Sequence, residues 1–154
     1  MKWMKQFGMR VLSLGVVLSL AGCGGGEGGA AVSSKKKIMV FVGIKEVANA
    51  QERFSGLKES IEGTDIEIID LLTDDVDFAK ARKNAENTLT AHPDVAALVG
   101  LWEYNPPQIL NALESAGKLG KIKTVGFDEN FATLRAIDEG NCQGTVCQNP
   151  YVFG

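Results

Sequence analysis

The chain has 154 residues, a formal net charge of −3 and a hydrophobic fraction of 45%. This composition is typical of one ordinary globular domain, and it lacks the excess of basic residues on which nucleic-acid binding depends. His92 is the only histidine and no CxxC pair occurs, so the sequence predicts no metal site.

The first 22 residues have the features of an export signal. Basic residues precede an apolar run at 11–21, which is shorter than the run of about 20 apolar residues that a membrane-spanning helix requires. Residues 20–23 (LAGC) match the lipobox of bacterial lipoproteins, in which small residues enter the peptidase cleft and the cysteine thiol receives the lipid. We therefore predict a signal peptide at 1–22 and a lipid anchor on Cys23, on the periplasmic or cell-surface side of a bacterial membrane.

After a Gly/Ser/Lys-rich tether at 23–37, apolar runs and apolar residues at helical spacing alternate along residues 38–154. The runs predict five strands, at 38–42, 66–72, 95–101, 122–127 and 142–147. Four helices are predicted between them, the last marked by Phe131, Leu134 and Ile137, and 150–154 is predicted to begin another helix. The second strand alternates most, which favours a place near the sheet edge.

Strands that alternate with helices form right-handed βαβ units. The pattern therefore predicts an α/β fold with three layers, α/β/α, around a mostly parallel five-stranded sheet. Cys142 and Cys147 fall in the last strand, about 16 Å apart at about 3.3 Å per residue, well beyond the limit of about 7 Å for a disulfide. We predict that both thiols are free and buried.

In open parallel sheets, ligands bind beyond the carboxyl ends of the strands. The residues that follow the predicted strands include carboxylates, amides and a tryptophan, and Arg53 lies one helix turn further on. Carboxylates accept hydrogen bonds from hydroxyl groups, arginine and asparagine donate them, and an aromatic ring stacks on the C–H face of a sugar. This set of side chains suits a polyol.

Several enzyme classes are disfavoured by motifs that the sequence does not contain. It has no GxGxxG, no GxxxxGK[ST] and no GxSxG, which disfavours dinucleotide, P-loop and α/β-hydrolase chemistry. Asp74, Asp75 and Asp77 invite a magnesium or phosphoacceptor site, but a turn followed by a helix N-cap is the favoured interpretation. We predict neither an enzyme nor a bound cofactor.

Four segments resemble the periplasmic sugar-binding proteins of the ribose-binding type. They are QERFSG at 51–56, LTAHPDV at 89–95, VGFD at 125–128 and GTVCQNP at 144–150. Their order and spacing match the C-terminal lobe of that family over nearly all of the chain from residue 38. The resemblance implies a sugar ligand and an ABC permease as partner.

The resemblance also implies roles for individual residues. Arg53 corresponds to an arginine that donates to sugar hydroxyls, Asp128 to an aspartate that accepts from two of them, and Gln148 to a glutamine at the hinge side. Trp102 stands where the family often has asparagine, and Asn105 follows three residues later. We expect all five to contact the ligand. The family often has an aromatic residue in place of Val76, so stacking is expected to differ here.

Complete members of this family have two similar lobes that close on the sugar. Here the tether leads directly into the segment that corresponds to the second lobe, so we expect a truncated single lobe. Such a lobe would bind sugar weakly, or would work with a partner that supplies the first lobe. Two alternatives remain: a lipoprotein lobe that binds a sensor or another protein, and a gene fragment whose product has no function.

Overall fold

The computed structural model describes residues 35–149 and residue 151. The predicted signal peptide, Cys23, most of the tether and nearly all of the last predicted helical turn lie outside the described residues. The strands are β1 (Lys36–Val42), β2 (Ile66–Thr73), β3 (Ala97–Gly100), β4 (Lys123–Phe127) and β5 (Gly144–Val146). The helices are α1 (Ala48–Ile61), α2 (Phe78–Ala91), α3 (Asn105–Ser115) and α4 (Phe131–Asp138).

The five strands form one sheet in the order β2-β1-β3-β4-β5, and every neighbouring pair is parallel. This confirms the predicted α/β fold, and β2 lies at the sheet edge as its alternating pattern predicted. Because all strands are parallel, their carboxyl ends meet at one edge, which we call the carboxyl edge. The candidate site lies there.

Helices pack on both faces of the sheet. Met39 and Phe41 of β1 pack with apolar residues of α2 and α3 on one face. Val40 and Val42 pack with α1 on the other. β1 is therefore buried on both sides, which explains why its sequence is a continuous apolar run.

One prediction at the C-terminal end of the sheet, that both cysteines are buried, is wrong for Cys147. Cys142 and Cys147 are both free, but only Cys142 is buried and Cys147 is exposed. The reason is that β5 is only three residues long and ends at Val146, on the outer side of the sheet. The last helix forms where it was predicted, as α4; its buried residues are Thr133 and Ala136, whereas Phe131 is 81% exposed.

Within residues 35–149 no helix combines the length and the hydropathy of a transmembrane span. The same part of the chain contains no cluster of three or more histidine, cysteine or acidic side chains placed to hold a metal ion.

Candidate functional site

An arginine–carboxylate pair lies at the centre of the carboxyl edge. Arg53 projects from α1, and Asp128 follows β4 directly. Arg53 Nη1 and Nη2 donate to the two carboxylate oxygens of Asp128, each at 2.8 Å. The side chains are only 10% and 22% exposed, so this is a bidentate and largely buried ion pair.

Two further contacts hold the Arg53 guanidinium in place. Nη1 also donates to the Leu101 carbonyl oxygen at 2.5 Å, just past the end of β3. The guanidinium carbon lies 4.9 Å from the centre of the Phe127 ring, within the range of a cation–π interaction. Arg53 is therefore fixed by residues that follow β3 and end β4 as well as by Asp128.

The backbone of Asp128 has a left-handed conformation, with φ of 66°. Its N–H donates to the Val146 carbonyl at 2.9 Å, and its carbonyl accepts from Thr145 Oγ1 at 2.7 Å. These two hydrogen bonds to β5 fix the backbone of Asp128, and its carboxylate points toward Arg53. Aspartate tolerates this conformation better than most residues.

Gln148 completes a group with this pair. Its Nε2 donates to Asp128 Oδ1 at 3.3 Å from an exposed position beyond β5. The structure therefore brings together three residues that the sequence predicted as site residues from distant segments: Arg53, Asp128 and Gln148.

Trp102 follows β3 at the same edge and is half-buried. Its indole N–H donates to Asn49 Oδ1 at 2.8 Å, in the first turn of α1. The ring lies against the backbone at Gly43, where an added Cβ would stand 2.1 Å from the ring. Only glycine at position 43 allows this approach, and the sequence analysis did not identify it.

Asn105 is placed differently from its prediction. Its side chain is 1% exposed and lies beneath the site, where Oδ1 accepts from the Trp102 N–H at 3.0 Å and Nδ2 donates to Asp74 Oδ2 at 2.9 Å. Both ends of the amide are occupied by protein groups. The placement of Asn105 does not support direct contact with a ligand, because α3 begins at this residue and turns it inward.

The structure also reveals two buried polar residues that the sequence analysis missed as parts of this region. Asp74 is fully buried and accepts a short hydrogen bond from the hydroxyl of Tyr104. Burial raises the pKa of Asp74, although its hydrogen bonds oppose that shift. Burial and the contact with Asp74 raise the pKa of Tyr104 as well.

Asp77 is the N-cap of α2, as predicted from the sequence. Its side chain accepts hydrogen bonds from two backbone N–H groups of that helix.

An open depression of about 490 Å³ lies at the carboxyl edge, beside the Arg53–Asp128 pair and Trp102. The side chains that line it combine a cation, carboxylates, amides and aromatic rings: Val47, Asn49, Arg53, Trp102, Glu103, Tyr104, Asp128 and Gln148. Donors and acceptors stand beside an aromatic surface, an arrangement that suits a small ligand with several hydroxyl groups.

Known proteins with similar sequences are sugar-binding proteins. The chain is 31% identical over 136 residues to the ribose import binding protein RbsB of Bacillus subtilis, covering 84% of this chain and 43% of that protein. It is 30% identical over 118 residues to RbsB of Escherichia coli, covering 77% and 40%. A D-ribose/D-allose-binding protein of Pseudomonas aeruginosa is 26% identical over 112 residues, covering 73% and 35%. The chain thus spans about two-fifths of the length of these relatives.

Solved structures show the same fold. GanP, a glucose-galactose binding protein from Geobacillus stearothermophilus, superposes with a TM-score of 0.71 at 25% identity, over 78% of this chain and 43% of that one. An ABC transporter solute binding protein from Burkholderia graminis, solved in complex with D-arabinose, gives 0.70 at 25% identity, over 79% and 44%.

The sequence profile of the periplasmic binding protein domain matches residues 21–154, which is most of the chain. The match includes all nine elements described above and every residue that lines the depression. The parallel sheet and the position of the depression at its carboxyl edge agree with this assignment. The chain therefore belongs to the periplasmic binding protein domain family.

Proposed function

We propose that this chain binds a monosaccharide in the depression at its carboxyl edge, as the solute-binding component of an ABC-type sugar uptake system. The observation that carries the proposal is the convergence of Arg53, Asp128 and Gln148, which come from three separate segments and are hydrogen-bonded to one another. Each lines the depression and has lone pairs or N–H groups that these bonds do not use. The similar proteins, which are named for binding ribose, allose, glucose and galactose or were solved with arabinose, support the choice of ligand class.

The ligand contacts that we propose are direct for four residues. Arg53 and Gln148 donate to sugar hydroxyls, Asp128 accepts from them, and the Trp102 ring covers an apolar face of the sugar. Asn105 supports Trp102 from below. The ion pair fixes the donors and acceptors before the sugar arrives, so less side-chain entropy is lost on binding.

We further propose that the chain is the C-terminal lobe of a two-lobed sugar site. Apolar side chains are exposed at the carboxyl edge, in the loops at Val47 (41%) and Val76 (48%) and at the start of α2 at Phe78 (54%). A second lobe, or a partner that supplies one, would cover them and exclude water from the bound sugar. A permease in the membrane would then receive the sugar.

For the N-terminal segments we propose a signal peptide at 1–22, a lipid anchor on Cys23 and a tether that begins at 23; since β1 begins at Lys36, the tether ends at residue 35 and not at 37. The support is the LAGC motif and the composition of the segment. The anchor would place the sugar site on the periplasmic or cell-surface side of a bacterial membrane.

Isothermal titration calorimetry of the full chain in detergent, with ribose, allose, arabinose, glucose and galactose, tests the proposal. One lobe supplies part of the sugar's partners, so we expect a dissociation constant of about 1 mM for the preferred sugar. Asp128→Asn should weaken binding about tenfold. The matched control is Asp65→Asn, which removes an exposed carboxylate paired with Lys36 at the opposite edge. Absence of binding to every sugar, or equal binding by D128N and D65N, would contradict the proposal.

A further inference from the structure

Asp74 is a buried carboxylate with no cationic partner in the part of the chain that the structure describes. It lies directly after β2 and is fully buried. Its oxygens accept from the Tyr104 hydroxyl, from Asn105 Nδ2 at 2.9 Å and from the Val76 N–H at 3.0 Å. The neighbouring Lys80 pairs with Asp75 instead. Burial of a carboxylate without a cation opposes folding, so the position of this charge calls for a role beyond packing.

The two side chains that donate to Asp74, Asn105 and Tyr104, both contact Trp102. Asn105 donates to Asp74 and, with the other end of the amide, accepts from the Trp102 backbone N–H at 3.0 Å. The amide has only one orientation that satisfies both neighbours, and the Asp74 carboxylate selects it. Tyr104 donates to Asp74, and its ring meets the Trp102 ring edge-on with centroids 6.4 Å apart.

The surroundings of Trp102 make its position sensitive to these two contacts. The ring fits over Gly43 without room for a Cβ, and the Tyr104 hydroxyl would itself lie 2.8 Å from such an atom. A small rotation of Tyr104 or Asn105 would therefore move the indole away from Asn49, which accepts from its N–H.

We propose that Asp74 is a positioning residue for the candidate sugar site, which holds the Trp102 indole at the wall of the depression through Tyr104 and Asn105. Only the effect on sugar affinity rests on the proposed function. The effect on Trp102 itself is independent of any ligand.

The test uses Trp102 as its own reporter. The chain has two tryptophans, so Trp3→Phe leaves Trp102 as the only one in the full chain. In this background Asp74→Asn places an amide N–H against the Nδ2 of Asn105, where a carboxylate oxygen was. We expect emission at longer wavelength and about twofold stronger quenching by acrylamide, because a loosened indole reaches water more often.

A charge-swap variant separates positioning from a general loss of structure. In Asp74→Asn with Asn105→Asp, the amide at 74 donates to a carboxylate at 105, whose other oxygen still accepts from the Trp102 N–H. Every hydrogen bond of the network is thereby restored, and we expect wild-type emission and quenching. Asp75→Asn is the matched control, because it removes a neighbouring carboxylate whose hydrogen bond is to Lys80 and not to Tyr104 or Asn105. If D74N does not fold, Tyr104→Phe replaces it in the test. This variant removes the hydrogen bond to Asp74 but keeps the ring that stacks on Phe78.

The outcomes for Asp74 and for sugar binding can be told apart. If folded D74N and Y104F quench like the parent, or if the swap variant quenches like D74N, the positioning role is refuted whether or not sugar binds. If the parent binds no sugar while D74N alters Trp102 quenching, the proposed function fails and the positioning role stands. If both hold, D74N should weaken sugar binding about tenfold and the swap variant should restore it.

Discussion

Asp128→Asn tests the ion pair on which the candidate site is built. Asparagine keeps the shape of the side chain and tolerates the left-handed backbone at φ of 66°. The change therefore removes the charge and replaces one of the two oxygens that accept from Arg53 with a donor. The Arg53 guanidinium remains, 10% exposed, with the Leu101 carbonyl and the Phe127 ring as its other partners.

The size of the effect follows from the burial of the pair. A hydrogen bond to a charged group contributes about 1.5–3 kcal/mol when buried, and an exposed ion pair contributes about 0–1 kcal/mol. Because Asp128 is 22% exposed, we expect the pair to contribute more than an exposed ion pair and less than the upper value for a buried charged hydrogen bond. D128N should lower the free energy of unfolding by about 2 kcal/mol.

A double-mutant cycle with Arg53→Met isolates the pair from the rest of the site. Urea unfolding followed by circular dichroism gives the free energy of each variant. We expect a coupling energy of about 1–2 kcal/mol between the two positions. A coupling within about 0.5 kcal/mol of zero would show that the two side chains do not interact in solution and would refute the geometry of the site.

Three further predictions test other parts of the structure. Gly43→Ala forces a Cβ against the Trp102 ring and should lower the free energy of unfolding by about 1–3 kcal/mol in the same urea assay. Since burial raises the pKa of Asp74 above 3.8, the stability contributed by its protonated form is fully present below pH 3.8 and is lost as pH rises through the raised pKa. Wild type should therefore lose stability relative to D74N as pH rises from below 3.8 through the raised pKa. Ellman's reagent, with labelled peptides identified by mass spectrometry, should react with Cys147 in the native protein and with Cys142 only after unfolding.

Each of these has a clear contrary result. Gly56→Ala, where no atom lies near the added Cβ, is the control for Gly43 and should be neutral or stabilising in the middle of a helix; equal effects at both positions would contradict the close approach of Trp102. A stability difference between wild type and D74N that stays constant or grows with pH would contradict the raised pKa. Rapid labelling of Cys142 in the native state would contradict its burial.

The sheet could be predicted because the burial of each strand determines which of its residues are apolar. β1 is covered on both faces and reads as a continuous apolar run, whereas β2 at the edge alternates. The rule that parallel strands end at one edge then predicted that Asp128 and Gln148 approach Arg53, although 75 residues separate Arg53 from Asp128.

What the sequence did not predict depends on packing between segments. Asn105 and Asp74 look like loop residues suited to a ligand or a turn, but in the structure both are buried, because they hydrogen-bond to each other and Asp74 also accepts from Tyr104. Cys147 reads as part of a strand, but pairing of β5 with β4 stops at Val146, so Cys147 lies beyond the sheet and is exposed.

Nitrogen-15 NMR with ribose titration tests the central claim most directly. The indole N–H of Trp102, the side-chain amide of Gln148 and the guanidinium of Arg53 should shift together and saturate at one dissociation constant. The side-chain amide of Asn141, which lies before β5 at the opposite edge, should stay unchanged. If none of the three signals at the carboxyl edge moves with ribose or with the other sugars tested, or if Asn141 moves instead, the depression at the carboxyl edge is not a sugar site.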